Sequence, residues 1–385
     1  MPSLLIERAR LTHVRVPLVE PFVISSGAVA DKDAIIVELF ADGAVGLGEA
    51  SPMAGAFYNH HTPESTWQVL TGRLIPAMRD AAAIDLTGQW LAATPDDPFA
   101  SCGIDSALWD LAARAMNVPL WSLLGGDGSK EIGSGLAVGI YDAIDTLLEK
   151  IDRYVSSDGY RRVKIKVQPG WDVEPLRAVR DRFGDIPLMV DANGAYRRDD
   201  IDAIAGWDRF GLVMIEQPLP REDLEGHAEL ARRCRTPLCL DESAETVTAV
   251  ERAIALKAAS IINIKLQRVG SVAAARRIHD LASAAGVGCW MGTMPELGLG
   301  AYAAMHFATL PNILYPTDVE SSARWFAEDV TEPPVACCDG FLSLPGSPGL
   351  GVVLNRDAVD RYTVQQRTLP IKAQLSLNAG DIDMP

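Results

Sequence analysis

Through its middle the chain repeats one unit: a short β-branched run followed by an amphipathic stretch. The runs read "RVKIKV", "PLMVDA", "VMIEQP", "PLCLDE" and "SIINIK", with "GVGCWMG" after them; between them lie "EPLRAVRDRF", "LEGHAELARRC", "VTAVERAIALKA" and "SVAAARRIHDLASAAG". Strand and helix in strict alternation demand a parallel sheet, because each helix returns the chain to the start of the next strand. The interval is regular. Lys166, Asp191, Glu216 and Asp241 follow one another at 25 residues, and Lys265 follows Asp241 at 24. One βα unit has about this length, so a closed barrel of roughly 200 to 250 residues would fill much of the chain. The alternative is an open doubly wound sheet, against which stands the absence of a glycine-rich phosphate fingerprint at any helix start.

The flanks are written differently. "AIIVELFADGAVGLGEA" is two extended runs around Asp42-Gly43, a pair suited to a tight hairpin turn, and "PESTWQVLTGRLIPAMRD" and "FASCGIDSALWDLAARAMNVPLWSLLGG" follow with helical spacing. The expected organisation is an α+β unit over residues 1–127, the barrel over 128–330, and a segment over 331–385 that packs back on the first unit. "TEPPVACCDGFLSLPGSPGLGV" at the head of that last segment reads as irregular structure.

Acidic residues outnumber basic ones 51 to 35, a formal charge of −16, which disfavours nucleic acid and anionic membrane surfaces as partners. The opening "MPSLLIERARLTHVRVP" lacks the apolar stretch of a secretory signal and no apolar run reaches membrane-spanning length, so a cytoplasmic location is expected. The six cysteines lack CxxC spacing and are expected to be mostly buried, without a disulfide framework.

Side chains at the C-terminal ends of barrel strands converge on the mouth, so the regular spacing becomes a spatial cluster. Asp191, Glu216 and Asp241 would repel one another there unless a divalent cation with oxygen ligands cancels the charge, and Mg²⁺ is the first choice. Each acid alone is equally a cap or turn residue; three in step between lysines are not. In "RRVKIKVQPGWD", Lys164 and Lys166 share one strand face and Val163, Ile165 and Val167 the other. An edge strand with one wet face would explain that pattern alone. With the acids, Lys166 and Lys265 instead flank the metal from opposite sides. A lysine near a cation and another ammonium is pushed toward the neutral form that a general base needs, and a metal-bound carboxylate substrate could then lose its α-proton through an enediolate. Lys164 would orient Lys166 or add positive potential.

"KIKVQPGWD", "VDANGAY", "IEQPL", "LDES", "NIKLQRVGS" and "WMGTMPELGLG", in that order, resemble the muconate-lactonizing subgroup of the enolase superfamily, and within it the o-succinylbenzoate synthase / N-acylamino acid racemase family. "GEASPMAGAFY", "TEPPV" and "SPGLGV" extend the similarity over most of the chain. The resemblance implies an N-terminal α+β capping domain on a modified TIM barrel, (β/α)₇β. It implies Mg²⁺, or Mn²⁺, on Asp191, Glu216 and Asp241, with Lys166 and Lys265 as the acid/base pair and Lys164 as support. Asn193 and Glu296 match polar positions near the site, Met53, Tyr58, Met294 and Trp325 its apolar lining, and Thr293 is a further candidate substrate contact. A small carboxylate substrate and a homo-oligomer follow from the same likeness.

Departures bear on substrate. "PFVISSG" carries Val23 and Ser26 where the family's loop has an arginine and a phenylalanine, Thr293 replaces a glycine, and Ala137 stands where a serine is usual. N-acylamino acid racemisation and o-succinylbenzoate formation, by syn-dehydration, are the leading readings; a muconate-type cycloisomerase or another racemase or dehydratase of the superfamily is the alternative. A dipeptide epimerase lacks its Asp-x-Asp pair in "GTMPE", and a histidine base is unsupported, His279 lying mid-helix. A Schiff-base aldolase would leave the three acids unexplained, and a metal-stabilised binding protein would leave the flanking lysines unexplained. His60 and His61 are expected to be cap residues near the pocket entrance, and the pairs Arg161–Arg162 and Arg276–Arg277 to be solvated.

Overall fold

The computed structural model describes residues 3–24, 27–53, 60–81, 84–88, 90 and 97–377. The hairpin read from Asp42-Gly43 joins strands Gly27–Ala41 and Ala44–Ala50. Asp42 and Gly43 have φ of 45° and 83°, the twist that a two-residue hairpin turn requires, and Ala41 pairs directly with Ala44. These strands belong to a four-stranded antiparallel sheet ordered Thr363–Ser376, Ser3–Ile24, Gly27–Ala41, Ala44–Ala50. The helix Pro98–Ala115, capped by Asp97 on Ala100 N at 3.1 Å, lies directly on this sheet. Gly46, Gly48 and Gly103 allow that approach. A Cβ at Gly48 would stand 2.2 Å from the Gly103 carbonyl oxygen.

Seven parallel strands follow in chain order: Leu136–Val138, Val163–Lys166, Leu188–Asp191, Ile215–Glu216, Leu238–Leu240, Ile261–Ile264 and Gly288–Met291. An irregular stretch, residues 312–319, lies between the last strand and the first. Leu314 N and Asp318 N donate to Cys289 O and Met291 O at 2.8 and 2.9 Å, while Gly135 N donates to Thr317 O at 2.8 Å. The sheet therefore curls toward closure, and the open-sheet alternative is excluded. The strand carrying Lys164 and Lys166 pairs on both sides, with Leu136–Val138 and with Leu188–Asp191, so it is no edge strand. Val163 and Ile165 pack outward with Leu176 and Val179 of the helix Val173–Phe183. Both lysines face inward.

One element is added and two expectations are corrected. Beyond the irregular stretch after residue 330, whose strands are only two residues long, the long strand Thr363–Ser376 pairs with Ser3–Ile24 on the N-terminal sheet. Arg162 is not solvated: it is 1% exposed and ion-paired to Asp318 at 2.7 Å, whereas Arg161 and Arg277 are exposed and Arg276 is half-buried on Asp280. Of the cysteines, all free, Cys102, Cys239 and Cys289 are buried, Cys234 and Cys337 half-buried and Cys338 exposed. No helix among the described residues is long and apolar enough to cross a membrane.

Candidate active site

Parallel register builds the site. Lys166 is the direct partner of Asp191, and Asp191 of Glu216, so strand ends deliver a row of polar groups to one rim. Asp241 follows the next strand, its N–H donating to Gln217 Oε1 at 3.0 Å; Gln217 also accepts from Ser243 N at 3.1 Å and fixes the turn. Asp191, Glu216 and Asp241 are buried, and each offers an oxygen within 4.8 Å of the others. They are the group of three or more acids, cysteines or histidines that converges among the described residues.

Cations bracket the row. Lys166 Nζ lies 2.5 Å from Asp191 Oδ2 and 3.0 Å from Asn193 Oδ1; at the other end Lys265 Nζ lies 2.7 Å from Asp241 Oδ2, whose second oxygen accepts from Arg268. Lys164 sits below, 3.5 Å from Glu216 and 3.7 Å from Asp191, and donates to Asp318. Glu216 takes its shortest bond from the neutral amide of Asn263, at 2.6 Å.

The electrostatics separates these groups. Burial opposes the charge on Asp191, but Lys166 and Lys164 outweigh it and hold the carboxyl well below the usual range. Glu216 goes the other way: burial, then the charge of Asp191, pushes it up. Burial also disfavours the Lys164 ammonium, yet Asp318, Glu216 and Asp191 more than compensate and hold its pKa up. Lys164 is thus a fixed cation. An all-oxygen donor set on three buried carboxylates, one of them electrostatically under-compensated, suits a hard divalent cation, and without a cysteine or histidine it does not suit zinc.

The other predicted residues divide. Asn193 joins the cluster, bridging Lys166 to Glu242 Oε1 at 3.0 Å. Thr293 Oγ1 donates to Asp318 O at 3.3 Å. Glu296 turns toward the cap, where its carboxylate accepts Met294 N at 3.0 Å and shares the field of Lys32 with Glu49. Met53, Met294 and Trp325 are buried, Trp325 edge-on to Phe22 at 5.0 Å between ring centres. Tyr58 and Ser26 lie outside the described residues. His61 is buried with Nδ1 3.5 Å from Asp97 Oδ2, and its ring lies 3.9 Å from that of His60. Sequence reasoning missed Asp318, Asn263, Arg268 and Glu242. Only Asp318 carried a signal: its stretch follows "GVGCWMG" at about one repeat, but "YPTDVES" has no β-branched run to mark a strand.

Comparison with known proteins agrees with this construction. Residues 6–125 match the mandelate racemase / muconate lactonizing enzyme N-terminal domain, and residues 146–358 the enolase C-terminal domain-like family. An o-succinylbenzoate synthase of Geobacillus kaustophilus is 39% identical over 93% of this chain and 96% of its own. An N-succinylamino acid racemase of Amycolatopsis sp. is 42% identical over 92% and 96%. Among solved structures, an enolase superfamily member from Listeria innocua superposes with a TM-score of 0.90 at 31% identity, covering 96% of this chain and 100% of that one. Muconate lactonizing enzyme from Pseudomonas fluorescens gives 0.85 at 25% identity, covering 93% and 99%. With a barrel rim that brackets three metal-competent acids between two lysines and both characteristic domains matched, the chain belongs to the enolase superfamily and is an enzyme of it.

Proposed function

We propose that the protein abstracts and returns the α-proton of a small N-acylated amino acid, and that in syn-dehydration to o-succinylbenzoate one lysine of the same pair takes the α-proton as base and returns it as acid to the hydroxyl leaving from that face as water. In this reading Asp191, Glu216 and Asp241 would hold Mg²⁺, or Mn²⁺, and the ion would supply positive charge to offset the negative charge developing on the substrate carboxylate. Lys166 and Lys265 exchange the proton on opposite faces of the α-carbon, and Lys164 stays charged beneath them. One observation carries it: the two ammonium groups sit on the two outer carboxylates of the row, at 2.5 and 2.7 Å, so a substrate anchored at the row has one lysine on each side. The relatives support the substrate class, since proteins named for both reactions match over nearly their whole length.

Asn193 would orient Lys166, Thr293 and Glu296 border the substrate, and Met53, Tyr58, Met294 and Trp325 line its apolar part. The reading divides the chain into cap (1–127), barrel (128–330) and returning segment (331–385), in a cytoplasmic homo-oligomer. The test supplies Mg²⁺ and a panel of N-succinylamino acids, muconates and the o-succinylbenzoate precursor, and follows products by NMR. Turnover of the succinylamino acids or the precursor supports the reading; turnover of muconates alone replaces it with cycloisomerisation.

A further inference from the structure

We infer that Gln267 is a positioning residue that registers the cap against the turn carrying Lys265, and thereby governs proton transfer on the Lys265 face of the substrate. The inference rests on the function proposed above. Gln267 is only 2% exposed, and its amide is spent on two main-chain groups of the cap: Nε2 donates to Glu49 O at 2.7 Å and Oε1 accepts from Ser51 N at 3.0 Å. Strand pairing of Ala44–Ala50 ends where Ala50 meets Ile35. The side chain takes over at that point. A primary amide offers a donor and an acceptor side by side, as an extended peptide does.

The other end of the contact is rigid. Lys265 is the N-cap of the short helix Leu266–Val269, and its carbonyl accepts from Arg268 N at 3.1 Å and Val269 N at 3.0 Å. Lys265 and Gln267 therefore move as one turn. The cap stretch is gripped on its far side as well. Lys32 Nζ donates to Ser51 O at 3.2 Å and Met294 O at 3.4 Å, and the Glu49 carboxylate accepts Leu297 N and Gly300 N, at 2.9 and 2.8 Å, at the start of the helix Gly298–Phe307. Residues 49–51, two short of Met53, are thus held between the Lys265 turn and the Thr293–Met294 loop. The bonds from Lys166 to Asp191 and Asn193 stay within the barrel. A loosened cap should then disturb one face and spare the other.

The experiment measures α-proton exchange in D₂O by NMR for each enantiomer of an N-succinylamino acid, with Mg²⁺, in wild type, Gln267→Leu and Gln267→Glu. Lys166→Ala and Lys265→Ala first assign each enantiomer to its lysine. Leucine keeps the volume and loses both bonds; glutamate keeps the acceptor for Ser51 N and loses the donor. The expected result is a fall of about ten- to a hundredfold in kcat on the Lys265 face for Gln267→Leu, with KM changed less, a smaller fall for Gln267→Glu, and exchange on the Lys166 face within about twofold of wild type. Equal losses on both faces, or no loss on either, in variants that melt cooperatively would overturn the inference. Should leucine prevent folding, the glutamate variant decides by the same ratio between faces. A wild type that exchanges neither enantiomer removes the proposed function and this inference with it, an outcome distinct from exchange without face selectivity.

Discussion

Lys164 donates to Asp318 beneath the carboxylate row, and the second oxygen of Asp318 accepts from Arg162 at 2.7 Å. One buried acid from the seam of the barrel therefore balances two buried cations, Lys164 on the strand Val163–Lys166 and Arg162 just before it. All three are less than 5% exposed. Removing one partner from such a group leaves an uncompensated buried charge, which is costlier than losing the pair. Asp318→Ala is expected to lower unfolding stability by about 3 to 5 kcal/mol in urea titration, and Asp318→Asn by less.

Asn263 gives Glu216 its shortest hydrogen bond, and a Cβ at Gly292 would stand 2.3 Å from the Asn263 side-chain oxygen, so the amide has little room to turn. Groups that orient a metal ligand typically contribute 10–100-fold in affinity. Asn263→Leu should weaken Mg²⁺ binding by about that factor in calorimetry, and EDTA should abolish activity that added Mg²⁺ restores.

The cap meets the barrel through Asp105, whose Oδ2 accepts Val272 N at 2.6 Å at the start of the helix Val272–Ala284. Burial pushes its carboxyl from 3.8 up to about 7, against the smaller opposing effect of that bond. The folded state thus holds a proton that the unfolded state releases. The contribution is fully present below about pH 4 and is lost as pH rises through 7, as much as about 4 kcal/mol in all. In thermal melts from pH 4 to 8, Asp105→Asn should gain on wild type as pH rises; parallel curves would contradict this.

Two glycines should respond with opposite sign. Gly48→Ala forces a Cβ to 2.2 Å from Gly103 O in the strand–helix contact and should cost about 1 to 3 kcal/mol. Gly72 lies in a helical turn with nothing within 4 Å of its Cβ position, so Gly72→Ala should stabilise by about 0.4 to 1 kcal/mol. Melting temperatures of the two variants check both.

The barrel was legible because its strands are short, β-branched and evenly spaced, and because each ends on the residue that matters; Lys166, Asp191, Glu216, Asp241 and Lys265 could be placed on one rim from spacing alone. The groups that set their electrostatics could not. Asp318 and Arg162 meet across 156 residues, on a seam without strand periodicity, and an arginine beside another arginine reads as solvent-facing until its partner is known. The strand Thr363–Ser376 escaped for a related reason. Its first six residues are exposed and carry no apolar alternation; the alternation is confined to Leu369, Ile371, Ala373 and Leu375 in its second half, and pairing with Ser3–Ile24 defines its full length. The Glu49, Lys32 and Glu296 group likewise exists only once the cap is seated on the barrel.

The division of labour between Lys166 and Lys265 is tested by α-proton exchange of each enantiomer of an N-succinylamino acid in D₂O with Mg²⁺, in Lys166→Ala and Lys265→Ala. Neither variant should racemise, and each should still exchange the α-proton of one enantiomer, a different one in the two cases. Racemisation at the wild-type rate in either variant would contradict that division of labour.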